Sequence, residues 1–577
     1  MKKTGAELIV YALEQIGVKF TFGIPGVHNT ELYDELNISK DITPYLVTHE
    51  CGAAFMADAI SRTSESIGTL VIVPAAGATH ALSGIGEAYL DGIPMLIISG
   101  GVRTDTGKKF QLHQMDQSGF LKGITKKFFR VETHEDIIPI IFEAYEIATE
   151  DEAGPVFIEI PVNIQLFSGK VSYIPTFTPE RNVWKINEAA LEKSYNLLKS
   201  SSHPGIFAGW GAREATKELI ELAELIGAPV ATTLQGLSVF PGNHPLHTGM
   251  GFGPYSVPAG EAAFENCDCL LAIGTRFSEI PTGSFSMKVP ENLIHIDVNP
   301  DVFSKNYPAK FELEGDAKHI LGAIIEKFKK DGVQKKGSEK MKDLILKKKK
   351  EYETEWEKHS VPDKVNPSIF FRELRKQMKE EDILVVDDGN HTFLAAELFP
   401  AIRPKTFISP SDFNSMGYCV PASIGAKIAN PDRNVVGIVG DGAFLMTGLE
   451  LLTASTNSVG VVICVFYDGE LSQISQGQQI PYSRKTCTIL GELQLEGIAQ
   501  GTGAAYLSLE SNENIDSVLK QAFRISDEGR PVIVDIKIDY SKATRFTKGV
   551  VQANLGRFPL GEKFRFIGRA LWRKLTG

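Results

Sequence analysis

Cysteine is scarce in this chain and unpaired along it. Six thiols are spread over 577 residues, at Cys51, Cys267, Cys269, Cys419, Cys464 and Cys487, and no two form a CxxC pair. Thiols scattered through mostly apolar segments exclude a disulfide-stapled secreted scaffold and read as reduced side chains of a cytoplasmic protein. Cys267 and Cys269 flank Asp268 at the start of an apolar run, a packing pattern and not a metal site. Uninterrupted apolar stretches of about 18 residues are missing too, which excludes a predicted membrane span. The N-terminal MKKTGAELIVYALEQIG does not read as a leader, because Glu7 and Glu14 interrupt it and its apolar positions recur at helical spacing. It predicts a first helix. Basic charge is in deficit: 60 Lys and Arg face 71 Asp and Glu, a net charge of −11. That balance gives no general footprint for a nucleic-acid backbone. A GxGxxG dinucleotide fingerprint is absent as well, since the glycines of "FAGWGAR" lack both its spacing and its acidic partner.

What is present is the composition of an ordinary globular enzyme, 43% hydrophobic and 23% charged. At roughly 100 to 200 residues per domain, the length predicts about three to five domains. Short apolar runs alternate with amphipathic stretches, the rhythm of parallel sheets with crossover helices. Strands are predicted at 69–73, 95–98, 156–160, 205–207, 270–273, 293–296, 383–386, 435–439, 461–466 and 532–536. The polar, proline-bearing segment from Thr176 to Trp184 and the charge-dense stretch from Lys327 to Lys364 divide the chain. The expected domains are 1–180, 181–340 and 341–540, with a tail at 541–577. The fold class expected is α/β, three doubly wound parallel-sheet domains. The four lysines at 347 to 350 read as a solvated helix face or linker. The first and third blocks share one order of helix, turn, strand, small-residue turn, helix and strand, which predicts a duplicated domain flanking a third.

The most informative stretch is "VVGIVGDGAFLMTGLELLTASTNSVGVVICVFYDGELSQ". An apolar strand runs into Gly440-Asp441-Gly442 and a helix follows, and ligands of open α/β sheets bind at such carboxyl ends. Gly440 and Gly442 let the backbone approach a phosphate, and the amides opening the next helix supply donors. Asp441 beside a diphosphate calls for a hard divalent cation between them, and Mg²⁺ suits one or two carboxylates plus phosphate oxygens. Asp468, after the next strand and 27 residues on, is the second candidate ligand.

This strand, GDG, strand, Asp pattern resembles the diphosphate-binding motif of thiamine-diphosphate enzymes. Further segments resemble the acetolactate synthase, 2-oxo acid decarboxylase and pyruvate oxidase family throughout about residues 1 to 540. "VTHECGAAFMADAISR", "HQMDQ" and "GPVFIEIPVNIQ" are similar to its pyrimidine-binding domain. "AIGTRF" and "IHIDVNPD" are similar to its central domain, and "VVDDGNHTFLAAELF" and "FNSMGYCVPASIGAKIANPDRNVVGIVGDGAF" to its diphosphate-binding domain.

By this resemblance Glu50 is the glutamate that hydrogen-bonds the cofactor's aminopyrimidine and promotes loss of the thiazolium proton. A carboxylate in so apolar a passage needs a partner. Asp441 and Asp468 would hold Mg²⁺ with the backbone carbonyl of Glu470, although the family more often has Asn-Asn where Tyr467-Asp468 stands. Met416 matches the apolar wedge beneath the cofactor, and Asn414 would contact its pyrimidine. Asn390 and His391 match positions at the diphosphate, His391 having a helix-capping alternative. Gly26, Gly440, Gly442, Ala443, Asp468, Gly469 and Glu470 complete the implied cofactor contacts, and Val27, His80 and Gln114 those to substrate. His80 is equally well read as a structural histidine, since the family's "GPGATN" is here Ala75 to His80. FAD occurs in some relatives, and Arg276 stands at a position that contacts it.

The implied activity is decarboxylation of a 2-oxo acid with carboligation, foremost two pyruvates to 2-acetolactate and CO₂. The alternatives are a decarboxylase or carboligase for another 2-oxo acid, a 2-hydroxyacyl-CoA lyase, or a flavin-linked, membrane-attached pyruvate oxidase. Because Glu50 and Asp441 act at opposite ends of one cofactor, a dimer with active sites at its interface is expected. The tail from Ser541 carries a net charge of +8 against −19 for the rest. Phe564, Ile567, Leu571 and Leu575 face one side of a predicted helix and Arg565, Arg569 and Arg573 another. Such a helix suits docking on the acidic body or peripheral contact with anionic lipid.

Overall fold

The computed structural model describes residues 1–179, 184–333 and 338–576. The predicted boundary at 180/181 lies outside the described residues. Three six-stranded parallel sheets organise the chain. The first runs Thr43–Leu46, Phe20–Gly23, Gly68–Ile72, Met95–Gly101, Pro155–Pro161, Lys127–Arg130. The third runs Phe407–Ile408, Ile383–Val386, Val435–Gly440, Val462–Phe466, Val532–Ile536, Ala505–Leu509. Numbered along the chain, both read 2-1-3-4-6-5, so the two blocks that look alike in sequence share one wiring. Between them the central sheet runs His247–Met250, Val230–Thr232, Pro204–Ala208, Cys269–Ile273, Leu293–Asp297, Phe311–Glu314, the doubly wound order 3-2-1-4-5-6. All ten predicted strands are present, and the N-terminal helix forms over Gly5–Gln15 with a Thr4/Glu7 capping box.

The first and third domains are welded by helix packing. Helix Glu50–Thr63 lies against helix Cys419–Ala429 so closely that a Cβ on Gly425 would stand 2.4 Å from the Met56 carbonyl oxygen. Only glycine permits that approach. At the far end of the same helix, the fully buried Arg62 pairs with Asp58 at 2.6 Å and Asp91 at 2.9 Å. The Tyr418 hydroxyl donates to Asp58 at 2.6 Å. An unpaired buried guanidinium would be prohibitive, and here two carboxylates flank it. Among the described residues no helix is long and apolar enough to cross a membrane.

Candidate active site

In a 2-1-3-4-6-5 sheet the strand order reverses between strands one and three, and a crevice opens beyond their carboxyl ends. In the third domain these are Ile383–Val386 and Val435–Gly440, and a cavity of about 300 Å³ occupies the spot. Asn390 and His391 reach its wall from the first strand's end, and Gly440, Asp441, Gly442 and Ala443 from the second's. Asp468 and Glu470 come from the end of strand Val462–Phe466, while Asn414 and Met416 come from the turn before helix Cys419–Ala429. Gly469 is tied in through its amide.

Asp441 organises this wall. Its Oδ1 accepts from the Gly442 amide at 2.8 Å, and its Oδ2 from Gly469 at 2.6 Å and Asp468 at 3.2 Å. Burial pushes its carboxyl above the ordinary aspartate range, against the pull of these amides. Asp468 accepts from the Ser472 hydroxyl, and burial, with Asp441 close by, raises it to about 6. The Glu470 side chain is otherwise committed, to Lys485 at 2.5 Å and the Ser475 hydroxyl at 2.5 Å, and Lys485 holds it below the usual range.

His391 opens helix Asn390–Leu398 after Gly389, whose φ of +148° suits glycine. A Cβ on Gly389 would meet the imidazole at 2.6 Å, and one on Gly440 at 3.1 Å. Burial pushes His391 down to about 3, so it is neutral, and its Nε2 has no partner among the described residues. Asp387, which is not among the expected site residues, holds the facing turn. It accepts from the Gly417 amide at 2.9 Å and the Cys419 amide at 2.7 Å. Asp388 in turn accepts from Asn414 Nδ2 at 2.8 Å, steadying Asn414 at a φ of +61°. The doubled acid at a strand's end was the available signal.

The first domain offers the matching corner at its own strand ends. Glu50 begins helix Glu50–Thr63 and is 5% exposed, with His80 Nδ1 3.0 Å from its Oε2. The His80 ring stacks on His49 at 4.7 Å, and a Cβ on Gly77 would stand 3.2 Å from Glu50 Oε1. Ala75 takes a φ of +54° and a ψ of −86°. Gly26 sits in a turn closed by Asn29, its amide donating to Asn29 Oδ1 at 2.7 Å, and Val27 beside it is exposed. Gln114 lies apart in the exposed 103–116 loop, bonded to Gln111. Gly26, Val27, Glu50, His80 and Gln114 are all missing from the wall of the third-domain cavity.

The two half-sites correspond to known proteins. The "Thiamine pyrophosphate enzyme, N-terminal TPP binding domain" profile matches residues 3–120, the central-domain profile 191–324 and the C-terminal TPP binding domain 387–536. The chain belongs to the thiamine pyrophosphate enzymes. Within this family it is 34% identical to a probable acetolactate synthase large subunit of Methanocaldococcus jannaschii, covering 93% of this chain and 92% of the relative. It is 31% identical to the acetolactate synthase large subunit of Buchnera aphidicola from Schizaphis graminum, over 93% and 95% of the two chains. The Haemophilus influenzae acetolactate synthase large subunit is 30% identical over 94% and 96%. As in the family, both outer domains are thiamine pyrophosphate-binding domains.

Proposed function

We propose that this protein catalyses thiamine-diphosphate-dependent decarboxylation of a 2-oxo acid with carboligation, joining two pyruvates to 2-acetolactate with release of CO₂ and uptake of one proton. The observation that carries this reading is the pair of half-sites at strand ends, one with a buried carboxyl and one a cavity lined by Gly440, Asp441, Gly442 and Asp468. The orphaned His391 Nε2, held close against Gly389 and Gly440, and the raised Asp441 and Asp468 carboxyls fit a diphosphate with Mg²⁺. Asp441, Asp468 and the Glu470 carbonyl are the proposed metal ligands. Asn390, His391, Gly440, Gly442, Ala443 and Gly469 hold the diphosphate, while Gly26, Asn414 and Met416 hold the rings. When bound, the thiazolium supplies an electron sink for loss of carboxylate. Glu50 holds and returns the proton at the aminopyrimidine. His80, 3.0 Å from Glu50, lies with Val27 and Gln114 on the substrate side.

That Glu50 does not line the third-domain cavity of its own chain supports a dimer in which each copy completes the other's site. FAD is not assigned. Arg276, the residue associated with it, already binds Glu152 at 3.1 Å, Asp412 at 2.7 Å and the Leu90 carbonyl, so it offers no free guanidinium. The tail supports peripheral contact with anionic lipid. Helix Leu560–Thr576 leaves Leu560, Phe564, Ile567, Leu571 and Leu575 exposed, while Arg569 stacks over Tyr482 at 4.7 Å on the other side. Sedimentation with anionic vesicles that vanishes on truncation after Phe558 is expected, and failure of the full chain to sediment would end that assignment.

The deciding experiment supplies purified protein with thiamine diphosphate, Mg²⁺ and a panel of 2-oxo acids, following CO₂ and 2-acetolactate. Glu50→Gln should lower turnover by about 10²- to 10⁴-fold with cofactor affinity retained. Undiminished turnover in Glu50→Gln, or no product from pyruvate, refutes the reading.

A further inference from the structure

The lysine run does not lie wholly in solvent as its sequence suggests. Helix Ser338–Glu357 places Ile345, Lys349, Tyr352 and Trp356 on one face, which turns toward the junction of the central and third domains. The Lys349 ammonium donates to the Gly242 carbonyl at 3.2 Å. Among the described residues no carboxylate lies within ion-pair distance of it, and burial alone pulls it down to about 8.

Beside this lysine a cavity of about 430 Å³ is enclosed by edge strand His247–Met250, helix Ser338–Glu357 and helix Pro367–Gln377. Two more nitrogens of its lining residues are buried without a partner among the described residues, His247 Nε2 and Arg375 Nη1. Arg375 spends its other terminal nitrogen on the carbonyls of Met378, at 2.6 Å, and Lys379, and its plane lies over Phe399 at 5.1 Å. The acids that line the cavity are bonded to other groups of its wall, and Asp382, Glu380 and Glu381 lie near enough to Arg375 to favour its charge. Glu397 accepts from the Tyr352 hydroxyl at 2.5 Å and the Phe546 amide at 2.9 Å, and Glu353 lies 3.7 Å from Arg372. Leu237, Val257, Leu398 and Phe399 supply apolar wall.

Buried donors are satisfied in native proteins, and buried cations are paired. Among the described residues, an ammonium with no carboxylate at ion-pair distance, a guanidinium with one buried nitrogen left unbonded and an orphaned imidazole around one void therefore describe a site suited to an anion. The apolar wall asks for a hydrocarbon body on that anion, and Arg375 offers one terminal nitrogen where phosphate recognition favours a bidentate fork. We propose that this cavity binds a small organic carboxylate, its head on Lys349 and Arg375 and its apolar body against Leu237, Val257, Leu398 and Phe399. The site is separate from the thiamine-diphosphate cavity, and its occupancy does not depend on the reaction assigned there.

The test titrates octanoate into the full chain loaded with thiamine diphosphate and Mg²⁺, by calorimetry, with 1-octanol and inorganic phosphate as comparison probes. Octanoate should bind saturably, one per chain, and each comparison probe about tenfold more weakly or worse. Lys349→Gln and Arg375→Gln should each weaken octanoate by about tenfold or more, without altering thiamine diphosphate affinity. The unaltered protein gives an independent readout: acetylation of Lys349 by acetic anhydride, followed by peptide mass, should fall when octanoate is present. Absence of saturable octanoate binding, preference for phosphate, or unchanged Lys349 labelling overturns the proposal.

Discussion

Ala75 is the residue where local strain and the candidate site meet. Its φ of +54° and ψ of −86° lie where an L-residue with a Cβ is disfavoured, at about 1 to 3 kcal/mol. The conformation is held from both sides, the Ala75 amide donating to Gln117 Oε1 at 3.1 Å and its carbonyl accepting from Thr79 at 2.8 Å. Replacing Ala75 by glycine removes the strain but adds freedom to the unfolded chain, about 0.4 to 1 kcal/mol in the opposite direction. The net expectation for Ala75→Gly is a gain of about 1 kcal/mol, or roughly 2 to 4 °C in the melting temperature of a unit of this size. Ala75→Val should lose about 2 kcal/mol, because a β-branched side chain tolerates positive φ least. Urea denaturation of the cofactor-free protein, with a thermal scan beside it, measures both. The turn also fixes His80 and Gly77 against Glu50, so the relaxed glycine variant should turn over a few-fold more slowly. A valine variant as stable as the parent, or a glycine variant less stable than it, would refute the reasoning.

Three further outcomes follow from buried contacts. Arg62→Ala leaves Asp58 and Asp91 facing each other in the core and should cost about 3 to 5 kcal/mol, read by denaturation; a loss below about 1 kcal/mol would contradict the network. Gly425→Ala drives a methyl into the Met56 carbonyl and should cost about 1 to 3 kcal/mol, with a neutral result ruling out the close approach of the two helices. His391, pushed down to about 3 when folded, has an ordinary pKa near 6.5 when unfolded, so the unfolded chain takes a proton that the folded one refuses as pH falls below 6.5. That disfavours folding by about 1.4 kcal/mol per pH unit, so between pH 7 and 5 His391→Asn should lose about 2 kcal/mol less than the parent. Equal losses in the two cofactor-free proteins would disprove the buried neutral imidazole.

What the sequence discloses divides along a physical line. All ten strands read from apolar runs lie inside their sheets, where both faces are covered and the run is continuous. The six edge strands went unread: Lys127–Arg130 carries charge at both ends, Thr43–Leu46 contains Pro44, and Phe311–Glu314 alternates; the short interior strands Phe20–Gly23 and Val230–Thr232 went unread as well. The third-domain cavity was legible because phosphate chemistry needs glycine and aspartate in a fixed local order. Asp387, Ala75 and Lys349 were not, because their roles arise from partners brought in by tertiary structure. Lys349 shows the limit best: a run of four identical charges hides which one the helix turns inward.

The matched wiring of the outer sheets bears on descent. A forebear holding one such unit would have carried a single strand-end corner, and self-association would have set two corners face to face. Tandem copying would then have let one corner keep the acid proposed to work a proton while the other acquired the aspartates proposed to hold a metal. In the proposed dimer, contact between two chains would preserve, in specialised form, the way an earlier protein met its twin.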